Sequence, residues 1–177
     1  MPSAEFRRLG DERRFTSRVF AVDTVWLEDP DGEPFERDIV RHPGAVAVIP
    51  VHDDGTVTLV RQFRASVMTE ILEAPAGTCD ADGESLEDTA RRELIEEAGL
   101  AAGRLEKVAA VRNSPGFCDQ VTTIFLATDL TAVPTARDGV EERWMSVVRL
   151  PLAEVAAMVG DGRVVDETTA LGVLLVS

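Results

Sequence analysis

Apolar positions along this chain follow two periods, and together they predict strands arranged around one long helix. Strand-like runs of β-branched and alternating residues cover Arg18 to Leu27, Phe35 to Val40, Ala45 to Val51, Val57 to Phe63, Lys107 to Val111, Val121 to Ala127 and Trp144 to Val148. The turn-rich segment 28–34 (EDPDGEP) predicts that the first two pair as a hairpin. Segment 52–56 (HDDGT) predicts a second hairpin, whose first strand, Ala45 to Val51, is apolar throughout and therefore expected to be buried. Leu86, Ala90 and Leu94 recur at helical spacing between Ser85, a suitable entry residue, and Gly99, a suitable stop, which predicts an amphipathic helix from Ser85 to Ala98. A second helix is expected over Pro151 to Val159. Asp166 can cap a last one running through Leu171. The class is α/β, with strands and helices layered as a sandwich.

The long helix carries the densest chemistry. Glu93, Glu96 and Glu97 stand at i, i+3 and i+4, so three carboxylates share neighbouring turns of one face. Like charges this close repel unless something cationic sits between them. Hard oxygen donors so clustered suit Mg²⁺ or Mn²⁺ rather than zinc. A glutamate-rich helix face can also be plain solvated surface, so the surrounding residues decide the matter.

With Glu84, Arg92 and Gly99, the three glutamates make six specified positions, a pattern expected by chance roughly once in a million start sites if each residue occurs about once in ten. The segment 77–100 resembles the signature box of the Nudix hydrolases, which cleave diphosphates linked to a nucleoside or a similar group. One departure is visible. Six residues separate Gly77 from Glu84 where the family box has five, an insertion that a loop absorbs without disturbing the helix register.

The resemblance implies an α/β/α sandwich with a mixed sheet. It implies that Glu93 and Glu97 hold metal, that Glu96 assists, and that the carbonyl of Ala76 adds a further oxygen. Glu84 and Arg92 would orient loop and helix through an ion pair. Three further segments, Leu59 to Arg64, Glu73 to Gly77 and Ser114 to Phe117, are similar to the ADP-ribose pyrophosphatase subgroup. That likeness implies hydrolysis of ADP-ribose to AMP and ribose 5-phosphate, with Arg64 on the phosphates, where a guanidinium fork matches phosphate oxygens. Arg41 is a second phosphate candidate, and Phe117 is available to pack on a sugar or base. A general base is expected from the loop 137–143, at Glu142 or Glu141. The subgroup's glutamate three residues beyond the proline-glycine turn is Gln120 here, which cannot carry negative charge. Residues 1–42 would form a strand region that crosses to a second subunit, making a homodimer, and residues 43–177 the hydrolase domain. Trp26 is read either as an adenine platform in that region or as a core residue.

Composition narrows the picture from the other side. At 177 residues the chain is long enough for one domain with a substantial core. A net charge of −14 argues against nucleic acid as partner, yet leaves a phosphate substrate open, since a bound cation inverts the local sign. Cys79 and Cys118 form no zinc or disulfide pattern. Neither a secretory leader nor a membrane span is apparent, so a soluble cytoplasmic protein acting on a small molecule is expected. A non-catalytic sensor with this fold would be expected to have lost Glu93, Glu96 and Glu97, which are all present.

Overall fold

The computed structural model describes residues 5–135 and 142–177, with Glu142 described through its backbone alone. Strands β1 (Arg7–Thr16), β2 (Ala21–Glu28) and β3 (Pro34–Arg41) form an antiparallel sheet in that order. Then come β4 (Ala45–Pro50), β5 (Thr56–Arg64), β6 (Thr69–Glu73) and β7 (Ala76–Thr78), followed by helix α1 (Leu86–Ala98). Strands β8 (Leu100–Arg112) and β9 (Val121–Ala132), a 3-10 turn at Glu142–Trp144, strand β10 (Ser146–Pro151) and helices α2 (Leu152–Gly160) and α3 (Glu167–Val176) complete the order.

The central sheet runs β7-β4-β9-β8 and is mixed, because β4 pairs parallel with β9 from Ala45 opposite Thr122 to Pro50 opposite Ala127. Strands β10, β5 and β6 make a second small sheet. Side chains alternate across β4 as strand geometry requires. Val46 and Val48 pack with Ala90 and Leu94 of α1 and with Phe125. Ile49 lies on the other face with Ile124, Val155 of α2 and Val173 of α3. Helices therefore cover both faces, and β4 reads as an unbroken apolar run for that reason.

Helix α1 starts and stops where its sequence says. The Ser85 hydroxyl accepts from the Asp88 amide, and Gly99, at φ +65°, closes the end by donating to the Ile95 carbonyl. A side chain at Gly99 would also meet the Val133 carbonyl at 2.9 Å. Asp166 caps α3 as anticipated, accepting from the Thr169 amide.

Five expectations change. The second hairpin closes its turn only through the Val51–Val57 bridge; β4 and β5 then part into different sheets, because β4 is flanked by β7 and β9. The N-terminal region is a three-stranded sheet and not a hairpin, since β1 (RRLGDERRFT) pairs with β2 through two register shifts. Polar on both faces and almost wholly exposed, β1 carries no alternation to read. Strands β6 and β7 are short and were hidden between stronger signals. Strand β8 begins at Leu100, well before Lys107. Trp144 belongs to the 3-10 turn, 82% exposed, and the strand starts only at Ser146. The N-terminal sheet joins the rest where Val40 donates to the Phe117 carbonyl (2.7 Å) and accepts from the Asp119 amide (3.1 Å).

Candidate active site

Residues 73–76, which link β6 to β7, are anchored at every position. The buried Glu73 carboxylate accepts from Arg64 Nε at 3.0 Å and pairs with Nη2 at 2.7 Å. The Ala74 amide donates to Thr169 Oγ1 (2.8 Å), and the Pro75 carbonyl accepts from Val48 (2.8 Å). The Ala76 amide donates to Glu97 Oε2 (2.9 Å), whose side chain is nearly buried although it sits on a charged helix face. Gly77 follows for a steric reason: a Cβ there would fall 2.0 Å from the Glu93 carboxyl carbon. Two of the three glutamates thus lie directly against the backbone of β7.

The cation that the carboxylate cluster needs is Arg92. Its Nη1 donates to Glu93 (2.7 Å) and Glu96 (3.0 Å), while Nε and Nη2 reach the two oxygens of Glu84 at 3.1 and 3.2 Å. The expected Glu84–Arg92 pair is therefore present, and it is larger than a pair. The hydrogen bonds to Glu84, reinforced by the charges of Glu93 and Glu96, outweigh burial and hold Arg92 above its ordinary pKa. Arg92 in turn pulls Glu84 down.

Beside β7 lies a cleft of about 260 Å³, lined among others by His42, Arg64, Glu73, Gly77, Asn113 and Gln120. Burial pushes the Glu73 carboxyl up, and its Arg64 partner offsets this only in part. For Arg64 burial works against the charge, but hydrogen bonds and charge from Glu73, with Glu97 and Asp166 further off, prevail and raise its pKa. His42 is lowered by burial against the opposing charge of Asp119, and its Nδ1 accepts from Gly44 at 3.1 Å. Neutral amides and hydroxyls also line the cleft, next to Asp166. Asn113 accepts from Thr122 (2.6 Å) and donates to Thr168 (3.1 Å), and Gln120 donates to Thr122 (3.1 Å).

Arg64 and Ala76 line this cleft, and Arg41, Phe117 and Trp26 lie outside it. Arg41 donates to Asp23 (3.0 Å) and Asp119 (2.9 Å), tying β2 and β3 to the segment after the proline-glycine turn. Trp26 is half-buried on β2, with its Nε1 donating to Glu36 (3.1 Å) and Arg14 lying 5.8 Å above its ring. Phe117 is exposed on its turn. Glu141 lies outside the described residues, as does the side chain of Glu142. The sequence offers no signal for His42, Asn113, Thr122 and Thr168 at the cleft, each a lone polar residue without a spacing pattern, and marks Asp166 only as a helix cap.

The donor set of Glu93, Glu96, Glu97 and the Ala76 carbonyl is all oxygen, which fits a hard divalent ion. The space opposite Gly77 that a side chain would fill is what lets Glu93 reach the loop. Among the described residues no three acidic, histidine or cysteine side chains already converge on one point, since these carboxylates turn toward Arg92 and β7.

Known proteins resemble this chain in sequence and fold. The NUDIX domain family model matches residues 41–165. The chain is 37% identical over 173 residues to an ADP-ribose pyrophosphatase of Bacillus subtilis (strain 168), covering 98% of this chain and 93% of the relative. It is 36% identical over 138 residues to a GDP-mannose pyrophosphatase of Pectobacterium atrosepticum, covering 74% and 70%. A crystal structure of an ADP compounds hydrolase superposes with a TM-score of 0.84 at 26% identity, over 97% of this chain and 92% of that one. Nudix hydrolases generally use divalent metals, in keeping with the oxygen donors of α1. No described helix is long and apolar enough to cross a membrane. With the signature glutamates seated against β7 and a family match over most of its length, the chain belongs to the Nudix hydrolases, as a pyrophosphatase.

Proposed function

We propose that the protein hydrolyses ADP-ribose to AMP and ribose 5-phosphate in a Mg²⁺-dependent reaction. The observation that carries this reading is the seating of Glu93 and Glu97 against residues 76–77, beside a cleft that also holds Arg64. Similarity to an ADP-ribose pyrophosphatase along nearly the whole chain supports the substrate.

Glu93, Glu97 and the Ala76 carbonyl would hold the cation, with Glu96 at its edge. Once bound, the cation neutralises charge on the phosphoryl oxygens and lowers the pKa of attacking water. Arg64 orients the diphosphate: Glu73 occupies its Nε and Nη2, and Nη1 makes no hydrogen bond among the described residues. Locked by that pair, the guanidinium is pre-organised for a phosphoryl oxygen. Glu142, or Glu141 beside it, takes the proton from water. Phe117 packs on the sugar or base.

Residues 1–42 act as the dimer arm, in which Phe6, Phe15 and Phe20 are exposed and available to a second subunit. Trp26 and Arg41 lie in this arm and would serve the substrate from there. The unpaired thiols of Cys79 and Cys118 suit a reducing, cytoplasmic setting. Similarity to a GDP-mannose pyrophosphatase favours a second reading, a nucleotide-sugar diphosphatase with the same site.

Product-resolved hydrolysis with Mg²⁺ separates the two, using ADP-ribose, nucleotide sugars, dinucleoside polyphosphates and nucleoside triphosphates. The expected result is AMP with ribose 5-phosphate at a kcat/KM well above the others. A nucleotide sugar in first place would replace the substrate and keep the site.

A further inference from the structure

We propose that Thr169, in the first turn of α3, is a positioning residue for hydrolysis: it sets the register of residues 73–76 and thereby the placement of Ala76 against Glu97. The proposal rests on the role assigned above to Ala76 and Glu97 in holding the cation. It concerns a residue outside both the signature helix and the segment matched by the family model.

Pro75 has no amide hydrogen, so between Glu73 and Gly77 the backbone can be held by its donors only at Ala74 and Ala76. The two donors go to opposite layers of the sandwich. Ala76 donates to Glu97 on α1, and Ala74 donates to Thr169 on α3. Residues 74–76 are thus stretched between the helices that cover the two faces of the central sheet.

Thr169 is fully buried, and its hydroxyl is used in both directions. It accepts from Ala74 at 2.8 Å and donates to Asp166 Oδ2 at 2.6 Å. The same carboxylate oxygen accepts the Thr169 amide at 2.7 Å, so Asp166 fixes both the rotamer and the start of the helix. The next residue back, Thr168, accepts from Asn113 on the cleft wall. Helix α3 is therefore docked onto the site by consecutive threonines. If the Ala74 anchor is lost, that amide is left buried without its acceptor. With Pro75 still held by Val48, relaxation around Ala74 then shifts its neighbour Ala76 relative to Glu97, and catalytic groups tolerate little displacement.

Two substitutions separate positioning from packing. Thr169→Val keeps the shape and removes the hydroxyl, whereas Thr169→Ser keeps the hydroxyl and removes the methyl group. Calorimetric Mn²⁺ binding to substrate-free protein is measured together with kcat, KM and Tm on whichever diphosphate the wild type turns over fastest. The valine variant should lose about ten- to a hundredfold in Mn²⁺ affinity and in kcat, the scale typical of groups that orient metal ligands, with KM changed less. The serine variant should recover both, even at a lower Tm.

Wild-type Mn²⁺ affinity and kcat in Thr169→Val, or a serine variant as impaired as the valine one, would overturn the proposal while leaving the assignment of Ala76 and Glu97 standing. If Thr169→Val does not fold, Asp166→Ala removes the acceptor at the far end of the same relay, and unchanged Mn²⁺ binding there overturns it equally. Wild-type protein that binds no Mn²⁺ would remove the cation reading and this proposal together. A substrate other than ADP-ribose would touch neither.

Discussion

The N-terminal sheet and the central sheet are held by different physics. In β4 four consecutive residues, Val46 to Ile49, are essentially inaccessible, and helices close over both faces. In β1–β3 the buried apolar residues are Ala21 and Val25, and next to them Asp23 and Thr24 are buried as well. Beyond the backbone ladders, charge adds cohesion there: Arg13 and Arg41 converge on Asp23, and Arg7 pairs with Glu28. Burial is non-directional and survives changes of pH, whereas an ion network depends on protonation and salt. The charged sheet is nonetheless wired to the cleft, because Asp119 takes Arg41 on one oxygen and the His42 amide on the other. The charged sheet thus reaches the cleft wall through an ion pair and a backbone hydrogen bond at Asp119.

This contrast can be broken in several ways. The largest effect should come from Glu97→Gln, which keeps an acceptor for Ala76 but removes the charge. Turnover is expected to fall on the order of 10²–10³-fold, the scale of losing one electrostatic stabiliser at a reacting centre. Thermal unfolding of the variant should show the fold intact, and undiminished turnover would take Glu97 out of the reaction.

Next is a pair of truncations read by urea unfolding. Leu94→Ala empties a fully buried position of α1 and should cost about 2–5 kcal/mol. Phe15→Ala, on the exposed face of β1, should stay within about 0.5 kcal/mol in the isolated chain. A comparable loss at Phe15 would mean that a second subunit covers it, which sharpens the case for the dimer arm.

Acidification should separate the two sheets. Hydrogen bonds and charge from Arg13 and Arg41 hold Asp23 below the usual carboxylate range. Asp119 is also lowered, although burial opposes it, by the His42 amide and Arg41. Carboxyls depressed in the fold contribute stability that is complete above about pH 4, the unfolded aspartate value, and drains as pH falls through their folded pKa values. Glu73 has the opposite sign. Its raised pKa means that stability is lost as pH climbs from about 4.3 through the folded value, so acid favours its surroundings. Fluorescence of half-buried Trp26, with exposed Trp144 as background, should therefore report loosening of β1–β3 below about pH 4 before the helical signal changes. Simultaneous loss of both signals would show that the sheets unfold as one. The smallest effect is expected for Arg7→Ala, an exposed pair worth less than about 1 kcal/mol, with turnover unchanged.

What could be read from the sequence follows the same divide. Helix α1 announces itself through local spacing, with its cap at Ser85, its stop at Gly99 and the carboxylates on one face. Strands β4 and β9 show as apolar runs because both of their faces are covered. By contrast, β1 is a strand only because β2 lies beside it, and nothing in RRLGDERRFT encodes that partner. The same reason hid the cleft wall. Asn113, Thr122 and Thr168 meet through contacts between separate segments, and a single threonine at the start of a helix has no pattern to set it off. Arg41 illustrates the limit from the other direction: its ion pairs with Asp23 and Asp119 join distant segments, and no local pattern announces them.

Arg92 gives the carboxylate helix a resident counter-ion. Small metallodomains whose ligands come together only around their ion unfold when it is chelated. Here the repulsion among Glu84, Glu93 and Glu96 is already quenched from within the chain, and Leu94 closes the helix onto β4 without outside help. The protein can therefore be made, stored and kept intact when divalent ions are scarce. Adding a chelator should silence it without sending it back through a chaperone, and restoring the ion should bring activity back as fast as the ion exchanges.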